Sequence, residues 1–337
     1  MIKEAIAKII ERIDLSRHEM EEVMEEILTG KATHSQIACL LTGLRAKGET
    51  VEEITGAVAV MRRHVTRIEI KKETVLDTCG TGGDRKGTFN ISTIAAFVAA
   101  GCGIVVAKHG NRCVSSLCGS ADLLEELGVD INMDAERAKI CLEKVGIAFL
   151  FAPNFHPAMK FAMPVRQEIG IRTVFNLLGP LTNPANAMHQ LVGVYSAERT
   201  EVVARVLKNL GSRHVLVVHG EDGLDEITTT TQTRVSELKD GKIRNYIIKP
   251  QDFGIKCTKI NNLSGGNAAY NIAILEDVLE GKKGPARDIV LLNAGAAIYV
   301  ADKAKNILEG IEMAKESIDS GQALKKLELL RQYSKEK

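Results

Sequence analysis

The feature that most restricts the fold is an alternation of short apolar runs with helical segments, which begins near residue 74. Parallel strands need crossover connections, usually helices, and strands buried on both faces have continuous apolar sequences. The pattern therefore predicts an α/β fold with a mostly parallel central sheet flanked by helices. The predicted strands are 74–77, 103–107, 147–152, 192–195 and 214–219, and the predicted helices between them include 91–100 and 120–127.

Two regions depart from this alternation. No strand signal interrupts residues 1–70, where apolar residues recur at helical spacing and Ser16 and Thr50 stand at positions typical of helix N-caps. Residues 228–260 are rich in Thr and alternate apolar with polar residues, which predicts antiparallel hairpins. We therefore expect an N-terminal helical domain over residues 1–70 and an α/β domain over residues 71–337.

Composition limits the classes of function open to the chain. The 337 residues carry a net charge of +1, and only 4% are aromatic, with no Trp. A general nucleic-acid binder usually has a strong basic excess, so that class is disfavoured. Seven cysteines without a C-x-x-C pair indicate neither a zinc site nor a disulfide framework. The N-terminus has no apolar signal segment and no run is long enough to span a membrane, so we expect a cytoplasmic protein.

A glycine-rich loop, DTCGTGGD at residues 77–84, follows the first predicted strand. Gly80 and Gly83 are among the glycines that would let backbone N–H groups approach an anion. The loop is not a Walker A motif, because no Gly-Lys-Ser/Thr follows, and Arg85 occupies the position of the third glycine of a dinucleotide-binding fingerprint. Phosphate binding and an ordinary tight turn are both open interpretations of this loop.

A second candidate anion site lies at the start of the predicted helix 91–100. The helix dipole and free N–H groups favour an anion there, and Asn90, Ser92 and Thr93 could add side-chain contacts. Ordinary N-capping would need only one of these three side chains. Taken alone, the capping interpretation is favoured.

A cationic cluster, KHGNR, directly follows the second predicted strand. Its members include Lys108, His109 and Asn111, and hydroxyls at Ser116 and Ser120 come shortly after. A solvated turn would explain the charges, but loops at strand ends often carry functional residues. Both interpretations are open on the sequence alone.

Asp225 and Glu226 are adjacent carboxylates shortly after the last predicted parallel strand. Such a pair suits a Mg²⁺ ion that also binds substrate phosphates, although a solvated acidic turn is the common alternative. Three other residues are better explained structurally when taken alone: Arg166 as a helical surface residue, His156 as a structural histidine and Cys79 as a packing residue.

The ordered set of these segments resembles the anthranilate phosphoribosyltransferase family. The likeness extends from the N-terminal helices to residues 296–301, which is nearly the whole chain, and the set is far more specific than any single motif. The segments that carry it are GTGGD at 80–84, KHGNR at 108–112, GSAD at 119–122, FAP at 151–153, HPAMK at 156–160, RTVFNLLGP at 172–180, NPA at 183–185 and GLDE at 223–226.

The resemblance implies a homodimer with a fold like that of the pyrimidine nucleoside phosphorylases. In that fold a segment near residues 160–185 returns to join the N-terminal helical domain. The implied enzyme uses Mg²⁺, with two ions per monomer. It transfers the phosphoribosyl group of phosphoribosyl pyrophosphate to the amine of anthranilate, which yields N-(5-phosphoribosyl)anthranilate and pyrophosphate in tryptophan biosynthesis.

The same resemblance implies roles for individual residues, with catalysis by positioning and electrostatics rather than by one catalytic side chain. The loop with Cys113, Leu117 and Cys118 departs from the family pattern, since several relatives have Lys or another polar residue at position 117. The implied phosphoribosyl pyrophosphate contacts are Gly80, Gly83, Asp84, Thr88, Asn90, Ser92, Thr93, Lys108, Ser116 and Ser120. The implied anthranilate contacts are Gly80, His109, Asn111 and Arg166, and the implied metal ligands are Ser92, Asp225 and Glu226.

Two other functions fit the fold class. A pyrimidine nucleoside phosphorylase would use inorganic phosphate on a related scaffold, but the cationic cluster at 108–112 together with Asp225 and Glu226 favours a pyrophosphate substrate with metal. A non-catalytic paralogue that binds nucleic acid should have a basic excess and altered acidic ligands. The net charge of +1 and the intact Asp225–Glu226 pair disfavour it.

Overall fold

The computed structural model describes residues 1–72, 74–84, 86–112 and 118–336. Its N-terminal part is helical, as the sequence predicts. Ser16, Thr33 and Thr50 each accept a hydrogen bond from the backbone N–H three residues on, in capping boxes that begin three of the helices. These helices are α1 (Ile2–Ile10), α2 (Arg17–Leu28), α3 (His34–Lys47) and α4 (Val51–His64).

The strands that the structure describes form one seven-stranded sheet in the order β3-β2-β1-β4-β5-β6-β7. The first five strands of this order pair in parallel, and the last two pairings are antiparallel. The prediction of a mostly parallel sheet is confirmed. The strands are β1 (Val75–Gly80), β2 (Val105–Gly110), β3 (Ile147–Phe151), β4 (His189–Gly193), β5 (His214–Gly220), β6 (Thr233–Lys239) and β7 (Lys242–Ile248).

Helices cover both faces of the sheet. On one face, Leu76 of β1 and Leu216 of β5 share a buried cluster with Phe97 and Leu292, which belong to α5 and α13. The helices of the α/β part are α5 (Ile91–Gly101), α6 (Ser120–Glu126), α7 (Ala135–Lys144), α8 (Ala152–Phe155), α9 (Met163–Ile169), α10 (Phe175–Leu178), α11 (Arg199–Asn209), α12 (Ala268–Leu279), α13 (Pro285–Val300), α14 (Ile307–Asp319) and α15 (Gln322–Tyr333).

The opposite face of the sheet packs toward the N-terminal helices. Val192 of β4 and Val217 of β5 belong to the same buried cluster as Val203 of α11 and Ile54 of α4. The segment from α9 to the short 3₁₀ turn Gly179–Leu181 joins this cluster as well. Residues between α9 and Leu181 therefore pack in the same buried cluster as the N-terminal helices.

Three strand boundaries differ from the sequence prediction by three residues, and the other differences are smaller. β1 continues to Gly80, β2 continues to Gly110, and β4 begins at His189. Parallel pairing explains the longer strands, because Gly80 pairs with Gly193 of β4, and β2 remains paired with β3 up to Gly110. The first part of the glycine-rich loop and the first part of the cationic cluster are thus strand residues.

The antiparallel prediction for residues 228–260 holds for the hairpin of β6 and β7. Asp240 and Gly241 connect these strands with φ angles of 51° and 70°, as a two-residue turn of type I′ requires. The residues after β7 instead form 3₁₀ turns, Pro250–Phe253 and Ile260–Leu263. Within the described residues, the helices are all too short or too polar to cross a bilayer.

Candidate active site at the carboxyl edge of the sheet

The glycine-rich loop and the acidic loop meet at the carboxyl ends of β1, β4 and β5. The backbone N–H of Gly82 donates to Oδ2 of Asp225 at 2.8 Å, and the N–H of Thr81 donates to the Gly193 carbonyl at 2.9 Å. A side chain at Gly193 could not fit, because its Cβ would lie 1.5 Å from the Asp225 carbonyl oxygen. Ligands bind beyond the carboxyl ends of strands in such sheets, so this edge is the candidate site.

Glu226 faces the start of α5. One of its carboxylate oxygens accepts a hydrogen bond from the Ser92 N–H at 3.2 Å. The next residue, Ile227, is held by Asn293 of α13, whose side chain accepts from the Ile227 N–H at 3.0 Å and donates to its carbonyl at 2.8 Å. Asn293 fixes the acidic loop from behind, a role that its position within an apolar helix did not reveal.

Three carboxylates share this site. Burial raises the pKa of Asp84, Asp225 and Glu226, and repulsion from neighbouring carboxylates raises it further. A bound cation would relieve this repulsion. The described residues contain no group of three or more His, Cys, Asp or Glu side chains arranged for a metal. The pair Asp225 and Glu226 suits Mg²⁺, which proteins usually bind through one or two carboxylates while water and substrate phosphates fill its other positions.

The start of α5 is tightly held by neighbouring segments. Asn90 donates through Nδ2 to the Cys118 carbonyl at 3.1 Å, and its Oδ1 accepts from Asn271 at 3.1 Å. Thr88 forms an isolated bridge with Ser264. The Asn90 side chain therefore orders this segment and does not cap the helix, contrary to the capping interpretation.

Thr93 occupies a different environment from its neighbours. Its side chain is 1% exposed, and its hydroxyl has no hydrogen-bond partner in the described part of the chain. Together with Phe97 and Phe149 it lines a small internal space. A contact between this hydroxyl and a ligand stays a prediction.

Lys108 is buried rather than solvated, which corrects the interpretation of a charged turn. Its side chain lies between β1 and α5, where Nζ donates to the Thr78 carbonyl at 2.5 Å and to the Ser92 hydroxyl at 3.3 Å. Burial lowers the pKa of this ammonium group, while the nearby carboxylate of Asp77 opposes the shift. The cation is thus held next to the acidic loop.

His109 lies beside a second histidine. Its Nδ1 donates to the Gly179 carbonyl at 3.1 Å, so in the neutral ring Nε2 accepts from His156 Nε2 at 3.2 Å. Burial lowers the pKa of His109 to about 3 and that of His156 to about 4. Both rings are neutral near pH 7. The structural interpretation of His156 agrees with this contact.

The end of the cationic cluster is anchored to α6. The Ser120 hydroxyl donates to the Asn111 carbonyl at 3.3 Å. Arg112, which lies beside them, is paired with Asp122 at 2.8 Å and with Glu125 at 2.8 Å. The predicted contact Ser116, like Cys113 and Leu117, lies outside the described residues.

Two arginines lie in and just after α9. Arg166 on α9 places its guanidinium over the Phe175 ring at 5.3 Å, and burial lowers its pKa. Arg172 donates to the Gly83 carbonyl and stacks on Tyr195 with its guanidinium carbon 4.6 Å from the ring centre. Sequence reasoning assigned no role to Arg172, although it begins one of the family-like segments.

The structure therefore brings most of the predicted residues to one edge of the sheet. Direct hydrogen bonds connect the glycine loop, the acidic loop, the start of α5 and Lys108. The members joined in this way are Gly82, Asp225, Glu226, Ser92 and Lys108. Arg166 stands apart from this network on α9, where its guanidinium contacts the Met163 sulfur at 3.4 Å.

Comparison with known proteins gives two family matches along the chain. Residues 3–65 match the helical bundle domain of a glycosyl transferase family, and residues 72–324 match the a/b domain of the same family. The anthranilate phosphoribosyltransferase of Alkaliphilus metalliredigens is 54% identical over 336 residues, which cover 100% of this chain and 99% of that protein.

Solved structures agree with this match. The anthranilate phosphoribosyltransferase of Thermus thermophilus has a TM-score of 0.94 at 43% identity and covers 98% of this chain and 99% of its own. The Saccharomyces cerevisiae enzyme, in complex with phosphoribosyl pyrophosphate and Mg, has a TM-score of 0.89 at 30% identity, with 99% of this chain and 97% of that chain covered. The chain belongs to the anthranilate phosphoribosyltransferase family of glycosyl transferases.

Proposed function

We propose that this protein is an anthranilate phosphoribosyltransferase. It transfers the phosphoribosyl group of phosphoribosyl pyrophosphate to the amine of anthranilate and releases pyrophosphate. The product, N-(5-phosphoribosyl)anthranilate, belongs to tryptophan biosynthesis. Relatives of this name match along almost the entire chain.

The hydrogen bond from Gly82 to Asp225 is the observation that carries this proposal. It joins a loop suited to an anion with a loop suited to a cation at the same sheet edge. A magnesium-bound pyrophosphate needs both surfaces at once. A phosphate loop without carboxylates, or an acidic turn without a glycine loop, would not bind that group.

The phosphoribosyl pyrophosphate side of the site would use backbone N–H groups and small polar side chains. The helix dipole of α5 favours negative charge at its start, and Lys108 supplies a fixed cation beside it. The Lys108 ammonium is held by two acceptors, so little reorganisation is needed as charge develops on the leaving group. The proposed contacts are Gly80, Gly83, Asp84, Thr88, Asn90, Ser92, Thr93, Lys108, Ser116 and Ser120.

The metal side would use Asp225, Glu226 and Ser92, with two ions per monomer. Mg²⁺, when bound, supplies positive charge against the pyrophosphate oxygens. The buried carboxylates are held in place by Gly82 and by the Ser92 N–H. The S. cerevisiae relatives include complexes described with Mg, which supports the use of this metal.

Anthranilate would lie between the glycine loop and the segment from α9 to residue 180. The guanidinium of Arg166 suits the substrate carboxylate, and the amine of anthranilate is a usable nucleophile once positioned. His109 would contribute as a neutral ring, and Asn111 and Gly80 would complete the contacts. A relative from S. cerevisiae is described in complex with 4-fluoroanthranilate, which supports an aromatic acid here.

Three further features belong to this proposal. The chain would divide into a helical domain over residues 1–70, joined by residues near 160–185, and an α/β domain over residues 71–337. It would act as a homodimer, and it would work in the cytoplasm. The separate matches to a helical bundle domain and an a/b domain support the division.

A product analysis separates this function from the phosphorylase alternative. One reaction contains anthranilate, phosphoribosyl pyrophosphate and Mg²⁺, and a second contains a pyrimidine nucleoside and inorganic phosphate. Mass spectrometry should find phosphoribosylanthranilate and pyrophosphate in the first and an unchanged nucleoside in the second. Ribose 1-phosphate in the second reaction, with nothing formed in the first, would replace the proposal with a phosphorylase.

A further inference from the structure

Asp77 lies where β1 and β2 part from each other. Backbone pairing between these strands consists of Val75 with Val105 and Leu76 with Val106, although both strands continue for several residues beyond. The Asp77 side chain follows directly after the last pair and is fully buried, with 0% exposed. Beyond the last pair, backbone N–H and C=O groups of β1 and β2 no longer bond to each other. They need other partners, since buried N–H and C=O groups are nearly always hydrogen-bonded.

Asp77 and Asn183 supply these partners. The His109 N–H donates to Oδ1 of Asp77 at 3.1 Å. Nδ2 of Asn183 donates to Oδ2 of Asp77 at 2.8 Å and to the Ala107 carbonyl at 2.8 Å. Both carboxylate oxygens of Asp77 therefore accept a hydrogen bond, each from a different segment of the chain.

The two bonds fix segments that are far apart in sequence. Through His109, Asp77 holds the end of β2, and the His109 ring in turn donates to the Gly179 carbonyl. Through Asn183, it holds the segment that follows α10, to which Gln190 also binds by donating to the Pro180 carbonyl at 2.8 Å. The acidic loop is held by separate contacts from Gly82 and Ser92.

We propose that Asp77 is a positioning residue for the aromatic substrate. The inference rests on the proposed function and deepens it. Asp77 sets the distance between the His109 ring and the segment from Gly179 to Asn183, which together form the anthranilate side of the site. A carboxylate is required because two donors converge on it, and an amide side chain has only one acceptor.

The variant Asp77→Asn tests this role. Its single oxygen can accept from His109 or from Asn183 but not from both, so one buried donor is left unpaired. We expect the KM for anthranilate to rise about tenfold and the KM for phosphoribosyl pyrophosphate to rise less, because Asp77 also stabilises the charge of Lys108. A merely structural residue would lower the thermal midpoint and leave both KM values of the folded enzyme unchanged.

A reciprocal exchange gives the second arm. Asn183→Asp alone places two carboxylates against each other, whereas Asp77→Asn combined with Asn183→Asp restores the bond between the two side chains in reversed order. The Ala107 carbonyl loses its donor in both variants that carry Asn183→Asp. The double variant should have a lower anthranilate KM than Asn183→Asp alone, since both lack the donor to Ala107 and differ only in the contact between the two side chains. If Asp77→Asn does not fold, Asn183→Asp compared with the double variant makes the same test.

Glu237→Gln is the matched control. Glu237 is another largely buried carboxylate that accepts two hydrogen bonds, from Tyr299 and His214, in β6 away from the site. This variant removes a buried carboxylate away from the site, so it should keep both KM values. Equal rises in both KM values for Asp77→Asn, or no recovery in the exchange, would overturn the inference while the wild type remains active. An inactive wild type would overturn the proposed function, and this inference with it.

Discussion

Asp225 accepts a 2.8 Å hydrogen bond from the backbone of Gly82, a residue 143 positions earlier in the chain. This bond makes the glycine loop and the acidic loop one unit. Gly80 and Gly193 permit the approach, because a Cβ on either would come within 2.7 Å of an Asp225 oxygen. The glycine loop and the acidic loop are therefore held together at this edge of the sheet.

The carboxylates of the acidic loop should determine the magnesium requirement. Asp225→Asn combined with Glu226→Gln removes both charges while keeping side-chain size. We expect the Mg²⁺ concentration for half-maximal activity to rise about tenfold or more, since contacts to charged groups contribute roughly 1.5–3 kcal/mol each. Glu221→Gln, at an exposed carboxylate close by, is the control. An unchanged Mg²⁺ titration in the double variant would refute the assignment.

Gly193 should be intolerant of any side chain. A Cβ in Gly193→Ala would lie 1.5 Å from the Asp225 carbonyl, so the acidic loop must shift. We expect a loss of about 3 kcal/mol in the free energy of unfolding, at the upper end of overpacking costs, together with a weaker response to Mg²⁺. Gly103→Ala, at a positive-φ position with open space around it, should lower the free energy of unfolding without changing the response to Mg²⁺. Full activity of Gly193→Ala at normal Mg²⁺ would show that the loop contact is dispensable.

Arg166 should act mainly on anthranilate. Its guanidinium lies over Phe175, and its pKa is lowered by burial, so a substrate carboxylate would be a favourable partner. Arg166→Ala should raise the anthranilate KM by about ten- to a hundredfold and affect phosphoribosyl pyrophosphate much less. Steady-state kinetics with each substrate varied measures both values, with the exposed Arg17→Ala as the control. Equal rises in the two KM values would contradict the role.

The paired histidines should make stability depend on pH. The pKa of His156 falls from 6.5 to about 4 on folding because the ring is buried. Between these values the unfolded chain binds a proton that the folded chain does not, so the free energy of unfolding decreases as pH falls below 6.5. The decrease approaches about 1.4 kcal/mol per pH unit for one proton. Urea titrations at pH 7, 6 and 5 give the free energy of unfolding at each pH. Its dependence on pH should be smaller for His156→Gln than for the wild type. An equal dependence in the two proteins would contradict the buried neutral ring.

Local patterns predicted much of the site. The glycine loop and the Asp225–Glu226 pair were expected after strands, and both lie at one edge because parallel strands bring their carboxyl ends together. The N-caps at Ser16 and Thr50 were also predictable, since a capping box depends on residues only three apart. These features are set by short stretches of sequence.

Other features depend on contacts between distant segments and were not predictable. The local sequence around Lys108 is typical of a solvated cation, yet Lys108 is buried because β2 runs on to Gly110 and places it beside Thr78. The contacts of Asp77 with His109 and Asn183 depend on the end of the pairing between β1 and β2, which no local pattern reveals. Arg172 reaches Gly83 across 89 positions of sequence. In each case, tertiary packing decides the environment of the side chain.

Anthranilate consumption, followed by its fluorescence, is the direct test of the proposed transferase activity. The folded wild type is incubated with anthranilate alone, with phosphoribosyl pyrophosphate, with Mg²⁺, and with both together. We expect a loss of fluorescence that requires both additions and matches the pyrophosphate released. No consumption in the complete mixture, by protein shown to be folded, would contradict it.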